Sequence, residues 1–265
     1  MRLGIPSPLT SLLRPALRAL VRSSDTLRLG QLHGFESGLV VDRIYAREAN
    51  GRYGVGKLLD GWLLAQPASV ALRERQLLVR AALLRACAET RANGMQPALL
   101  DLGSGPARAV INVLKRDAGA GAGEATALCI DLDGACLREG RRLAAQAQLD
   151  TLRFEWANAN DMAKLARWIR PTLVVASGLY EYFSDEAVRA SLRGVHDRLR
   201  PRACVFTAQV QRVRAPLGLN TLAAGGRTRV RPIEALEAWA RGAGFARVHS
   251  RLTRDGVHAV FTLGD

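Results

Sequence analysis

The chain has 265 residues, 48% of them apolar, 23% charged and 5% aromatic, with a formal net charge of +14. These proportions belong to an ordinary globular chain and exclude a disordered, collagen-like or disulfide-framed protein. So few aromatic rings argue against base stacking as a binding mode. The charge points either to an anionic partner or to an arginine-rich exterior with no partner at all.

Leu9, Leu12, Leu13, Leu17, Leu20 and Val21 fall at helical spacing, with Arg14, Arg18 and Arg22 on the other side and no acid before Asp25. Three readings of this segment stand: a helix packed on its own domain, which is favoured, an interfacial helix on anionic lipid, and an organellar transit peptide. Pro15 weakens any long helix here. No apolar run reaches the roughly 18 to 20 residues that a membrane-spanning helix needs. Every periodic segment from Pro8 to Arg91 reads as helix: Leu58, Trp62 and Leu63 repeat at helical spacing, as do Leu72, Leu77, Val79, Leu83 and Leu84. Between them Ala49–Gly56 is a glycine-rich turn of the kind that approaches a ligand or caps a helix.

From Pro97 the pattern becomes strand then helix, repeated. Ala98–Leu102, Ala125–Ile130, Leu152–Trp156, Thr172–Ala176, Ala203–Val210, Phe245–Ser250 and Val257–Leu263 are seven expected strands. Helices are expected at Ala107–Arg116, Ala135–Gln148, Met162–Ile169, Asp185–Leu199 and Ile233–Arg241. Continuous apolar strands alternating with amphipathic helices indicate an α/β protein whose parallel sheet is covered on both faces. The last two strands are joined by a turn too short for a helix, so they form an antiparallel hairpin. The organisation expected is a helical extension or lid over residues 1–96, packed on a core of residues 97–265. The four cysteines, Cys87, Cys129, Cys136 and Cys204, show no CxxC spacing and read as buried core thiols in a reducing cytoplasm. Gln211–Pro232 carries Arg212, Arg214, Arg227, Arg229 and Arg231 without an acid. It is either a basic loop at the ligand-binding edge of the sheet or a solvated loop.

Four motifs carry chemistry. In Leu99–Ala107 an apolar strand runs into Gly103-Ser104-Gly105 and then a helix, so backbone N–H groups can approach a ligand. A dinucleotide site wants a small residue where Arg108 stands. Asp101, two residues before the first glycine, repels a phosphate but suits the amino acid portion and sulfonium of S-adenosylmethionine. Asp131, at the tip of the next strand, is placed to accept both ribose hydroxyls, and Asp133 reads as the following helix's N-cap. After the third strand Asn158 and Ala159 are adenine-side candidates, with Asn160 or Asp161 capping the next helix. After the fourth, Ser177 and Gly178 line the donor, and Tyr180, Glu181 and Tyr182 can meet an acceptor. Packing is the preferred reading for Tyr182 and Phe183.

On these motifs the sequence resembles a class I S-adenosylmethionine-dependent methyltransferase. More narrowly it resembles a bacterial methyltransferase family of undefined substrate, sometimes fused behind an α/β-hydrolase-like domain. The matching residues run from about Asp25 to the C-terminus. They are Gly34–Gly38, Asp42-Arg43-Ile44-Tyr45, Gly54–Asp60, Arg73–Arg75, Asp101–Gly105, Asp131 and Ser177–Glu181. The resemblance implies a Rossmann-like sheet of seven strands, mostly parallel with the last antiparallel, and S-adenosylmethionine as donor. It does not supply an acceptor. Asn158 replaces an acid common at the adenine position, and Ala107 stands where many relatives carry a third glycine. Relatives place an arginine pair just before the core, and a guanidinium such as that of Arg75 suits bidentate capture of the methionine carboxylate; an exposed helix face is the alternative.

Methyl transfer from a sulfonium needs alignment and exclusion of water, and a base only where the acceptor is protonated. Tyr180 and Glu181 are the weak candidates for that base, while His196, mid-helix, is expected to face solvent. A small-molecule or lipid-like anionic acceptor is favoured over RNA, because the segment after the fourth strand lacks the Asn/Asp-Pro-Pro-Tyr of base amino-methyltransferases. A non-catalytic, partner-binding subunit is the remaining alternative. No metal is expected. The expected location is the cytoplasm, with peripheral contact to anionic membrane through the basic N-terminal helix as a further option.

Overall fold

The structure, a computed structural model, describes residues 19–118, 124–210 and 228–265. The expectations for Leu9–Leu17 and for Arg212, Arg214 and Arg227 lie outside these residues. By compactness the chain divides between Val70 and Ala71. The first unit holds helices α1 (Asp25–His33), α2 (Gly38–Ala46) and α3 (Tyr53–Ala65). Helix α4 (Pro67–Ala92) begins before the division and ends beyond it.

Serine hydroxyls start the first two helices: Ser24 Oγ accepts from the Leu27 amide and Ser37 Oγ from the Val40 amide. The Ala49–Gly56 turn serves close helix packing. Gly56 sits against the Ser23 carbonyl, where a Cβ would come within 2.2 Å of the oxygen. Buried Asp60, one turn further along α3, accepts the Ser24 hydroxyl at 2.5 Å and the Asp25 and Thr26 amides at 3.3 Å.

The second unit is built on a seven-stranded sheet: β1 (Ala98–Leu102), β2 (Thr126–Asp131), β3 (Leu152–Trp156), β4 (Leu173–Ala176), β5 (Ala203–Gln209), β6 (Arg247–Leu252) and β7 (His258–Gly264). Their order is β3-β2-β1-β4-β5-β7-β6. The first five strands pair in parallel, and β7 runs antiparallel to both β5 and β6. The interleaved helices are α5 (Arg108–Ala118), α6 (Gly134–Gln146), α7 (Met162–Trp168), α8 (Asp185–Gly194) and α9 (Ile233–Gly242). One core layer joins α4, α5 and α6 to the side chains of Leu99, Cys129, Val175 and Val205. The other joins α7, α8 and α9 to Leu100, Ile130, Val174 and Phe206. A sheet buried on both faces explains why its central strands are uniformly apolar. The edge strand β6 is exposed and carries Arg247, His249 and Arg251, charges that oppose further strand pairing.

All four cysteines are buried and free. Among the described residues no helix is long and apolar enough to cross a membrane.

Candidate functional site

Strand order reverses between β1 and β4, and the carboxyl ends of the parallel strands at such a reversal are where open α/β sheets bind ligands. The chain turns sharply beside it. Gly103 has φ +63° and Gly178, after β4, has φ +75°, both in the left-handed region that glycine tolerates. Space is as restrictive as the dihedral, since a Cβ on Gly103 would meet Leu179 Cδ1 at 2.8 Å. Ala107 also takes a left-handed φ of +58°, though it is not glycine.

The glycine turn and the β2 tip are joined directly. Asp131 Oδ2 accepts the Gly105 amide at 2.7 Å, and Asp131 Oδ1 accepts the Asp133 amide at 2.8 Å. The Ser104 amide adds a bond to the Ile130 carbonyl at 2.9 Å. The half-buried Asp131 carboxylate is therefore fixed at the tip of β2 by the turn that β1 feeds. Asp133 caps α6, accepting the Ala135 amide at 2.8 Å.

Asp101 lies one strand over, beside Cys129 and Val175 in register, and is buried. Burial, with the Asp131 charge adding to it, pushes its carboxyl up to about 8. Among the described residues no donor pairs with it. A buried carboxyl without a partner is unfavourable unless a ligand supplies a cation or donor.

After β3, Asn158 is exposed and its Oδ1 accepts the Asn160 amide at 2.9 Å, while Ala159 is buried. The cap of α7 is Asp161, which accepts the Lys164 amide at 3.1 Å. After β4, Ser177 and Gly178 are half-buried, and the Gly178 amide donates to Thr207 Oγ1 on β5 at 2.8 Å.

Arg75 approaches this turn from α4. Its guanidinium lies 3.1 Å from where a Gly178 Cβ would sit, and it donates to Glu181 Oε1 at 2.9 Å with both side chains buried. Arg75 is therefore not on an exposed helix face. Glu181, offered as a base, is an ion-pair partner.

Tyr180, the other base candidate, is a core residue. It is wholly buried against Phe183 and Phe206, its hydroxyl lies 3.0 Å from Ser191 Oγ, and burial raises its ionisation above the ordinary range. That placement gives it a packing role. Tyr182, expected to pack, is exposed, whereas Phe183 packs against the core. His196 packs edge-on against Phe245 and is half-buried rather than solvent-facing.

Two residues near the β4 turn were not singled out for it. Arg231, read as part of a basic loop, is buried. It donates to Asp185 Oδ1, the Tyr180 carbonyl and the Phe183 carbonyl, at 2.9, 2.8 and 2.5 Å. His258 stands at the start of β7, opposite Gln209, and neither ring nitrogen has a hydrogen-bond partner among the described residues. Burial, and then the Arg75 charge, push its imidazole down to about 3, so it is neutral. A single histidine in an apolar strand gives no pattern that would have marked it. No group of three metal-ligating side chains occurs among the described residues.

The chain matches, over residues 8–263, the family described as "Putative methyltransferase". It is 27% identical over 272 residues to the uncharacterized protein YnbC of Escherichia coli K12, covering 97% of this chain but 46% of that protein, about half its length. The crystal structure of a possible exported protein from Bordetella parapertussis superposes with a TM-score of 0.68 at 16% identity, covering 98% of this chain and 99% of that one. A magnesium protoporphyrin IX methyltransferase from Synechocystis PCC 6803, solved with S-adenosylhomocysteine bound, gives 0.54 at 14% identity, covering 85% and 98%. With the β3-β2-β1-β4-β5-β7-β6 sheet, these matches place the chain in that methyltransferase family, with the class I S-adenosylmethionine-dependent methyltransferase fold.

Proposed function

We propose that the chain transfers the methyl group of S-adenosylmethionine to a small-molecule or lipid-like acceptor of anionic character. The observation that carries the donor assignment is the Gly105 amide bound to Asp131 beside the buried, unpartnered Asp101. Asp131 receives the ribose hydroxyls. Asp101 and the Gly103–Gly105 turn face the amino acid portion, and Arg75 takes its carboxylate. Asn158 and Ala159 border the adenine, the Asn158 side-chain N–H groups being left to a base edge because its oxygen is engaged by Asn160. Ser177 and Gly178 line the methyl end.

When bound, the donor supplies a methyl group already activated by the sulfonium. The residues here contribute alignment and exclusion of water. Glu181 acts as a positioning residue that aims the Arg75 guanidinium, since its own carboxylate is engaged. The net charge of +14 supports an acceptor with anionic character.

Calorimetric titration with S-adenosylhomocysteine tests this reading. Saturable binding is expected, weakened at least about tenfold by Asp131→Ala, the equivalent of one lost charge-assisted hydrogen bond. Absence of binding at millimolar ligand, or unchanged affinity in the variant, would refute it.

A further inference from the structure

We propose that the outward face of α3 docks on an anionic lipid bilayer, a role distinct from donor binding. The inward face of this helix is fixed by contacts. Gly56, Asp60 and Leu64 follow one another at four-residue spacing and are buried. Gly56 is held against the Ser23 carbonyl, and Asp60 caps the start of α1 through the Ser24 hydroxyl and two backbone amides. The helix cannot roll without breaking that cap, so the opposite side faces outward.

That opposite side is apolar. Val55 is 56% exposed, Leu58 75% and Trp62 58%. Gly54, Gly61 and Ala65 fill the space around them and are also exposed. A water-facing helix surface ordinarily carries charges, and an apolar face of this kind marks a surface that meets something else.

The charges around the face choose the occupant. Arg52 and Lys57 are exposed beside it, and Asp60, the single acid of α3, is buried on the other side. A cationic border around leucine, valine and tryptophan is the composition of a helix lying in the headgroup region. There the aromatic rings seat at the interface and the cations meet lipid phosphates. Pairing two copies of this face would offer Arg52 and Lys57 no exposed α3 carboxylate in return, which disfavours a self-interface.

The test is sedimentation of the full chain with sucrose-loaded vesicles. One set contains phosphatidylglycerol and phosphatidylcholine in equal parts, the other phosphatidylcholine alone. Binding is expected to the anionic vesicles and to weaken with added salt. Leu58→Glu with Trp62→Glu is expected to reduce it by at least about tenfold although Arg14, Arg18 and Arg22 remain, and Trp62→Ala and Lys57→Glu by smaller factors. Circular dichroism shows that each variant is folded, and titration with S-adenosylhomocysteine reports the donor site separately, so the two proposals stand or fall independently. Three results overturn this one: no binding of the parent to anionic vesicles, binding by the double variant equal to the parent's, or a parent dimer in sedimentation velocity that the double variant converts to monomer.

Discussion

The Gly105 amide and the Asp131 carboxylate, 26 positions apart in sequence, meet at 2.7 Å. One contact thus ties the turn after β1 to the tip of β2. Because Asp131 also accepts the Asp133 amide, removing its side chain leaves two backbone donors to water or to nothing. Asp131→Ala is expected to lower stability by about 1–3 kcal/mol in addition to weakening S-adenosylhomocysteine binding. Asp131→Asn, which keeps one acceptor oxygen, should lose less of both. Urea unfolding and calorimetry read the two effects, and an Ala variant as stable as the parent contradicts the bracing role.

Asp101 is expected to make donor binding pH-dependent. Its carboxyl is pushed up to about 8 by burial and the Asp131 charge, so the free protein holds a proton there at neutral pH. A cationic ligand favours the ionised form, and binding then releases that proton. Affinity for S-adenosylmethionine should rise with pH toward 8, by at most about tenfold per unit, and flatten above it. The same group acts on folding with the opposite trend. The folded state keeps a proton that the unfolded chain gives up above about 4, so this group's contribution to stability falls as pH rises from about 4 to about 8. Calorimetry in buffers of different ionisation enthalpy measures the proton count; an Asp101→Asn variant with an unchanged pH profile excludes Asp101 as its source.

The buried Arg75–Glu181 pair is expected to behave asymmetrically. Arg75→Met or Glu181→Leu alone breaks this buried ion pair and should cost about 3–5 kcal/mol. The double replacement removes both charges and should recover most of that loss, while donor affinity stays low because the guanidinium is gone. A double variant no more stable than the singles rejects the pairing as the cause.

His258 carries two buried ring nitrogens without partners among the described residues. Replacing such a group by an apolar side chain of similar size is close to neutral or stabilising. His258→Leu should therefore unfold within about 1 kcal/mol of the parent or above it. A loss of more than about 2 kcal/mol in urea titration would mean that the imidazole is paired in solution.

The sheet was legible because its signal is repetitive. Val174 and Val175, or Leu128 and Cys129, are apolar whichever face they point to, and such runs bounded by turn residues mark buried parallel strands. Ala98–Leu102 and Leu152–Trp156 coincide with the strands observed. The sixth strand starts two residues later than expected, at Arg247, because Phe245 belongs to the core ahead of it and Gly244, at φ +117°, turns the chain against the His196 ring. The expected helix Asp185–Leu199 changes to π geometry at Val195, a change in hydrogen-bond pattern with no residue signature.

At the site, the backbone motifs were readable because glycine spacing and strand-tip carboxylates reflect local geometry. The side-chain roles were not. Whether Tyr180 faces a ligand or the core depends on Ser191 and Phe206, which come from other elements. Arg231 looks in sequence like its basic neighbours, yet three partners drawn from the segment 180–185 bury it.

The clamp at Arg231 fixes where the chain returns beside the turn after β4. Val210 and Arg231 form an isolated parallel bridge, and the Arg229 amide donates to the Glu181 carbonyl at 2.8 Å. The chain therefore enters α9 from a point held both to the end of β5 and to the turn after β4. A disturbance at either anchor is therefore expected to reach the other through the three residues Arg229 to Arg231.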